Sequence, residues 1–215
     1  MVVKVYLAGD STVKTYDETR APQAGWGQFI AEYFTSYVIF ENHAEGGRST
    51  KTFIEEGRLQ KILQQIRPGD YLFIQMGHND SAINKQERYT EPQTTYKQYL
   101  REYIAGAREK QAIPLLITPV SRLAYQDETF VTNLEAYAKA MLEVAVEDNV
   151  AVIDLNKRSL DYYSSLGYEK TVKLFMLAYD GHDHTHFTFT GAKNIGALIV
   201  KAIKELDIEL SRYVK

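Results

Sequence analysis

Five short apolar runs punctuate the chain: Val2–Ala8, Tyr37–Asn42, Asp70–Gln75, Ile113–Thr118 and Val150–Asp154. Each is rich in Val, Ile, Leu, Phe or Tyr, and several are nearly continuous in apolarity, the pattern of strands covered on both faces. Segments with helical spacing lie between them. Gly27–Phe34 is a short candidate helix, and Thr52–Ile66 repeats apolar residues at Phe53, Leu59, Ile62, Leu63 and Ile66 before Pro68-Gly69, a helix-ending pair. Thr94–Gln111 and Phe130–Asp148 are spaced similarly. Gly191–Leu206 places Ala192, Ile195, Leu198, Ile199, Ala202, Ile203 and Leu206 at steps of three and four, one apolar helix face made to pack on a sheet. This alternation predicts an α/β fold in three layers, a five-stranded, mostly parallel sheet with helices on both faces. In such sheets ligands bind beyond the carboxyl ends of the strands. The chemistry is therefore expected just after each short run.

Composition narrows the chemistry without changing that architecture. A length of 215 residues suits a single domain spanning 1–215. The absence of cysteine removes thiol nucleophiles, thiolate metal sites and redox pairs, and leaves serine, carboxylate and histidine. A net charge of −3 with no dense basic block gives no footprint for nucleic acid or an anionic membrane surface, and no apolar run approaches the ~18 residues of a membrane span. Met1 to Ala8 run straight into a strand-like segment without the charged, apolar and small-residue pattern of a signal peptide. The expected location is the cytoplasm, or outside the cell if a leader has been removed. Sixteen tyrosines against one tryptophan fit a sugar-facing surface or, equally, a half-buried core edge.

The strand ends carry Gly9-Asp10-Ser11, then Gly46-Gly47-Arg48-Ser49, then Gly77-His78-Asn79-Asp80, and His182-Asp183-His184-Thr185-His186 precedes the last helix. Ser11 is the candidate nucleophile. A serine hydroxyl needs a base, and His186, oriented by Asp183 three residues earlier, can serve as one. A helical turn after Gly9 would aim the Ser11 N–H at the same spot as its hydroxyl. Gly47 can add a second N–H and the Asn79 amide a third, together an oxyanion hole. Each block alone has a plainer reading, since Gly-Asp-Ser is commonly a turn and cap, Asp80 could cap the next helix, and Asp183 a loop. Their order at successive strand ends is what singles them out.

These blocks resemble those of the SGNH (GDSL-type) hydrolases: Gly9-Asp10-Ser11 its first, Gly47 its second, Gly77-His78-Asn79-Asp80 its third and Asp183-His184-Thr185-His186 its last. The resemblance spans nearly the whole chain. It implies a flavodoxin-like fold, Ser11, Asp183 and His186 as a catalytic triad, and the Ser11 N–H, Gly47 N–H and Asn79 amide as the oxyanion hole. Extended to Thr12, Gly25-Trp26-Gly27 and Gly47-Arg48-Ser49, the pattern is most similar to the rhamnogalacturonan acetylesterases. That implies an esterase acting on acetylated oligosaccharide or polysaccharide, without cofactor. With a histidine acting as the base, activity is further expected to fall on acidification. Secreted members carry signal peptides and often cysteines, absent here; an intracellular enzyme acting on imported oligosaccharides fits.

Three other readings stand beside this one. His182, His184 and His186 would share one face of an extended segment and offer imidazoles to zinc. A non-catalytic carbohydrate-binding module would use Trp26 and Tyr89, Tyr96 or Tyr125 as platforms. A lipid or thioester hydrolase on the same scaffold would need an extended apolar groove, against which the polar segment Ser81–Thr95 argues. Arg48 and the tyrosines offer contacts to uronate carboxylates or sugar faces without being assigned to them.

Overall fold

The computed structural model describes residues 2–215. The five apolar runs form β1 (Val3–Gly9), β2 (Val38–Asn42), β3 (Tyr71–Gln75), β4 (Ile113–Ile117) and β5 (Ala151–Ile153). They make one sheet in the order β2-β1-β3-β4-β5, with every neighbouring pair parallel. This is the flavodoxin-like order, whose chain reverses direction between β1 and β3 and opens a crevice at their carboxyl ends.

Side chains of a strand alternate between its faces, and both faces here are apolar. Val5 and Leu7 of β1, with Phe73, Leu115 and Ile153, join one core. Tyr6 and Ala8, with Leu72, Ile74 and Leu116, join the other. The first is covered by α5 (Leu155–Leu166) and α8 (Phe189–Glu205). The second is covered by α1 (Thr50–Glu55), α2 (Arg58–Leu63), α3 (Lys97–Glu109) and α4 (Glu135–Glu147). Two short helices, α6 (Tyr168–Val172) and α7 (Leu177–Asp180), lead into the last loop. On α8 the buried residues include Ile195, Ile199 and Ile203, the expected face; each fully buried isoleucine contributes roughly 1.5–3 kcal/mol.

Four segments differ from the sequence expectation. The helix expected over Phe130–Asp148 begins at Glu135, because Phe130 lies in a two-residue strand, Thr129–Phe130, paired with Tyr125–Gln126. Thr52–Ile66 is two helices, because Gly57 sits at φ +70° and turns the chain between α1 and α2. Gly27–Phe34 is two 3-10 turns, Trp26–Gln28 and Ile30–Tyr33. The helix α5 was not anticipated: its buried face mixes Leu155 and Tyr163 with Asn156 and Ser159, so no apolar stripe marks it. Among the described residues no helix is long and apolar enough to cross a membrane.

Candidate active site

The crevice at the ends of β1 and β3 is built on buried hydrogen bonds. The Trp26 indole donates to Gln75 Oε1 at 2.8 Å, and Gln75 Nε2 donates to Thr12 Oγ1 at 2.7 Å. Thr12 donates its N–H and hydroxyl to Asp10 Oδ1 at 2.9 and 2.8 Å, while His78 Nδ1 bonds Asp10 Oδ2 at 3.0 Å. Burial acts to raise the Asp10 carboxyl, but His78 and Thr12 outweigh it and hold it below its ordinary value. The network locks the turn after β1 to the loop after β3. Ser11 stands on that turn, where the Val13 and Lys14 N–H groups donate to the Asp10 carbonyl at 3.2 and 3.1 Å, a single helical turn that is not continued into a helix. Gly9 is required here because a Cβ would lie 2.5 Å from Val13 Cγ2.

The last loop meets this turn from the other side. A two-residue antiparallel ladder pairs Phe187–Thr188 with Gln23–Ala24, and the His186 carbonyl accepts from the Met176 N–H at 2.8 Å. So anchored, His186 places Nε2 2.9 Å from Ser11 Oγ and Nδ1 2.7 Å from Asp183 Oδ2. The other oxygen, Asp183 Oδ1, accepts the N–H groups of Thr185 and His186, each at 2.9 Å. Burial raises this carboxyl, yet the His186 ring and the two backbone donors more than reverse that and hold it well below the carboxylate range. An ionised Asp183 keeps the ring proton on Nδ1 and leaves Nε2 as an acceptor facing the Ser11 hydroxyl.

Gly47 and Asn79 close the same corner. An added Cβ on Gly46 would lie 3.7 Å from Ser11 Cβ, and Gly47 sits at φ +80°, open to glycine at little cost. Among the described residues neither the Ser11 nor the Gly47 N–H donates to a protein acceptor. Asn79 Nδ2 donates one bond, to the Arg48 carbonyl at 3.0 Å, and an amide carries a second donor. Asp80 does not cap the segment after it. It accepts instead from the Thr50 N–H at 3.1 Å and the Thr50 hydroxyl at 2.5 Å, binding the third block to the start of α1.

Ser11 and His186 open into a cleft of about 590 Å³. Tyr16 donates to the Ser11 carbonyl at 2.9 Å, and burial pushes its hydroxyl up to about 12, so it stays a neutral donor. Arg88, from the polar segment Ser81–Thr95 expected to border the cleft, and Arg122 also line it; sequence reasoning assigned neither a role of its own, because charged side chains in polar loops read as solvated. Arg48, considered for a uronate contact, is held by Glu56 at 3.0 Å and the Gly46 carbonyl at 2.7 Å. Trp26 is 1% exposed and Tyr96 fully buried, so both belong to the core and neither is a platform. The three histidines diverge: His182 bonds the Asp180 carbonyl, His184 that of Leu123, and His186 pairs with Asp183. No group of three or more His, Asp or Glu side chains among the described residues is arranged to hold a metal ion.

A sequence model of the GDSL-like lipase/acylhydrolase family matches residues 5–199, and the chain belongs to that family; it is a carboxylic ester hydrolase on a three-layer α/β scaffold. It is 51% identical over 214 residues to the probable rhamnogalacturonan acetylesterase YesY of Bacillus subtilis, covering 100% of this chain and 98% of that one. It is 39% identical over 222 residues to the rhamnogalacturonan acetylesterase RhgT of the same organism, covering 99% and 94%. The crystal structure of Bacillus subtilis YxiM superposes with a TM-score of 0.86 at 33% identity, covering 97% of this chain and 58% of that one. The chain thus spans little more than half the length of that structure.

Proposed function

We propose that residues 1–215 form a single catalytic domain that removes acetyl groups from O-acetylated carbohydrate, with rhamnogalacturonan fragments as the substrate, through a Ser11-His186-Asp183 triad. The carrying observation is the relay of 2.9 and 2.7 Å from Ser11 Oγ through His186 to Asp183, opening on a polar cleft. The names of the relatives YesY and RhgT support the acetyl and the sugar.

In this reading Ser11 Oγ attacks the acetyl carbonyl carbon as its proton passes to His186 Nε2. The carbonyl oxygen becomes an oxyanion facing the Ser11 and Gly47 N–H groups and the Asn79 amide. As the carbonyl re-forms, the bond to the sugar oxygen breaks and His186 returns the proton to that oxygen, leaving acetyl on Ser11. Water then attacks the acetyl carbon with His186 as base, the bond to Ser11 Oγ breaks, and His186 returns the proton to Ser11 as acetate departs. Asp183 stays ionised throughout, stabilising the imidazolium formed at each step.

The test compares p-nitrophenyl acetate, butyrate and octanoate, and acetate release from O-acetylated rhamnogalacturonan fragments, for the protein beside Ser11→Ala. Turnover of acetate and of the fragments, lost in the variant, is expected. A series peaking at octanoate would instead favour a lipid or thioester hydrolase. Sugar binding without any ester cleavage would favour a binding module.

A further inference from the structure

The positive charges around the cleft are not equally committed. Lys14 is neutralised by Glu45 at 2.5 Å. Asp17, a carboxylate lining the cleft, accepts the N–H and the hydroxyl of Thr19. Arg20, which also lines the cleft, donates to Gln23 Oε1 at 3.0 Å, and after the Thr19 hydroxyl and N–H its charge helps hold the Asp17 carboxyl below its ordinary value. Arg88 and Arg122 form no ion pair among the described residues and have no such carboxylate on the cleft wall assigned to them. Arg88 makes one long contact, Nη1 to the Gly47 carbonyl at 3.4 Å, and its buried Nε has no partner. Arg122 donates from Nη2 to the His78 carbonyl at 3.0 Å and from Nη1 to Asn133 Oδ1 at 3.1 Å, both neutral acceptors. A guanidinium carries five N–H groups, so both retain donors.

Their positions are as telling as their lack of partners. Arg88 lies against Gly47, and Arg122 is bonded to the residue before Asn79. The two cations therefore flank the loops that carry two of the three proposed oxyanion donors. Both line the same cleft as Ser11, so they border the space open to an ester seated on it. Burial, the largest influence on Arg122, lowers its pKa, and the charge of Asp10 opposes this. A partly desolvated cation of this kind gains more from an incoming anion than a solvated one.

We propose that Arg88 and Arg122 form a carboxylate-binding subsite beside Ser11, which selects acetyl esters of sugars bearing a uronate carboxylate over neutral ones. The planar fork of arginine matches the two oxygens of a carboxylate, and a charge-assisted pair in a sheltered cleft is about twice as strong as a neutral hydrogen bond. A methyl-esterified uronate keeps the size of the sugar and loses the charge. This proposal rests on the carbohydrate acetylesterase reading above and adds to it the feature by which the sugar is recognised.

The test uses one O-acetylated galacturonate oligosaccharide in two forms, with its carboxylates free or methyl-esterified. The readout is the ratio of kcat/KM for the two forms, at low and at raised salt. The intact protein is expected to favour the free acid by about tenfold or more, mainly through KM, with the ratio shrinking as salt rises. In Arg88→Gln combined with Arg122→Gln the ratio falls toward one. Should the double variant fail to fold, Arg88→Gln alone carries the test, because Arg88 holds only one long contact. Equal turnover of both forms by the intact protein overturns the subsite and leaves the acetylesterase reading standing. Turnover of neither, while the same preparation cleaves p-nitrophenyl acetate, overturns the carbohydrate reading and the subsite with it.

Discussion

Replacing Asp183 with asparagine asks what its carboxylate does for His186. The side chain accepts three hydrogen bonds: Oδ1 takes the N–H groups of Thr185 and His186 at 2.9 Å each, and Oδ2 takes the ring Nδ1–H at 2.7 Å. An asparagine can keep only one oxygen, and two backbone donors hold it at the Oδ1 position. Its NH₂ group then faces the imidazole. Two donors cannot share that contact, so the ring proton moves to Nε2, which points at Ser11 Oγ and can no longer accept its proton. The expected loss in kcat is about 10⁴-fold, or roughly 5.5 kcal/mol at 1.36 kcal/mol per decade. Stability should change far less, by about 1–2 kcal/mol, since the backbone bonds survive and one charge-assisted bond is exchanged. The sign with pH follows from the depressed Asp183 carboxyl: its stabilisation is present above the unfolded carboxylate value of ~3.9 and lost as pH falls through the lower folded value. The stability gap between the two proteins therefore narrows on strong acidification. Steady-state hydrolysis of p-nitrophenyl acetate and a thermal melt at neutral pH measure both effects. A variant within about tenfold of the parent in kcat, with an unchanged melt, would refute the reasoning.

Further expectations rest on neighbouring groups. Asn79→Ala should lower kcat by about 10²–10³ with little change in KM, if its amide serves the oxyanion; a change confined to KM would assign it to ground-state binding. Burial, against the donors Thr50 and Thr90, pushes the Asp80 carboxyl up to about 6. A group raised in the folded state stabilises fully below its unfolded value and loses that stabilisation as pH rises through the folded one, here about 3 kcal/mol between ~3.9 and the folded value. Denaturation of Asp80→Asn beside the parent should show this slope only in the parent, and parallel curves would contradict it. Trp26→Phe leaves Gln75 Oε1 buried without its donor and should cost about 1–3 kcal/mol while folded protein still cleaves ester; loss of sugar affinity at unchanged stability would return Trp26 to the surface role.

The five strands were legible because central parallel strands are apolar on both faces, and Val5, Leu7 and Tyr6, Ala8 indeed divide between the two cores. Ser11, Gly47, Asn79, Asp183 and His186 were legible as candidates because each follows a strand or precedes the last helix. What the sequence hid lies in contacts between distant positions. Nothing local to Trp26 says that its indole reaches Gln75, 49 positions away, so a binding-module reading could offer it as a sugar platform. Nothing local to Arg48 and Arg88 says that the first is neutralised by Glu56 while the second is not. The break at Gly57 is masked by the apolar residues spaced on either side of it, Phe53 before and Leu59 after. The helix α5 was masked by Asn156 and Ser159, whose burial is satisfied by bonds to Pro119, Thr132 and the Ser121 N–H.

The central claim is that Ser11 becomes covalently acetylated. Rapid acid quenching of the protein during turnover of p-nitrophenyl acetate, followed by peptide mass analysis, tests it directly. The account predicts an acetyl group on Ser11 in the parent, more abundant in the early phase than after substrate is exhausted, and neither label nor turnover in Ser11→Ala. Undiminished turnover by Ser11→Ala, or label on another residue while Ser11 stays free, would contradict it.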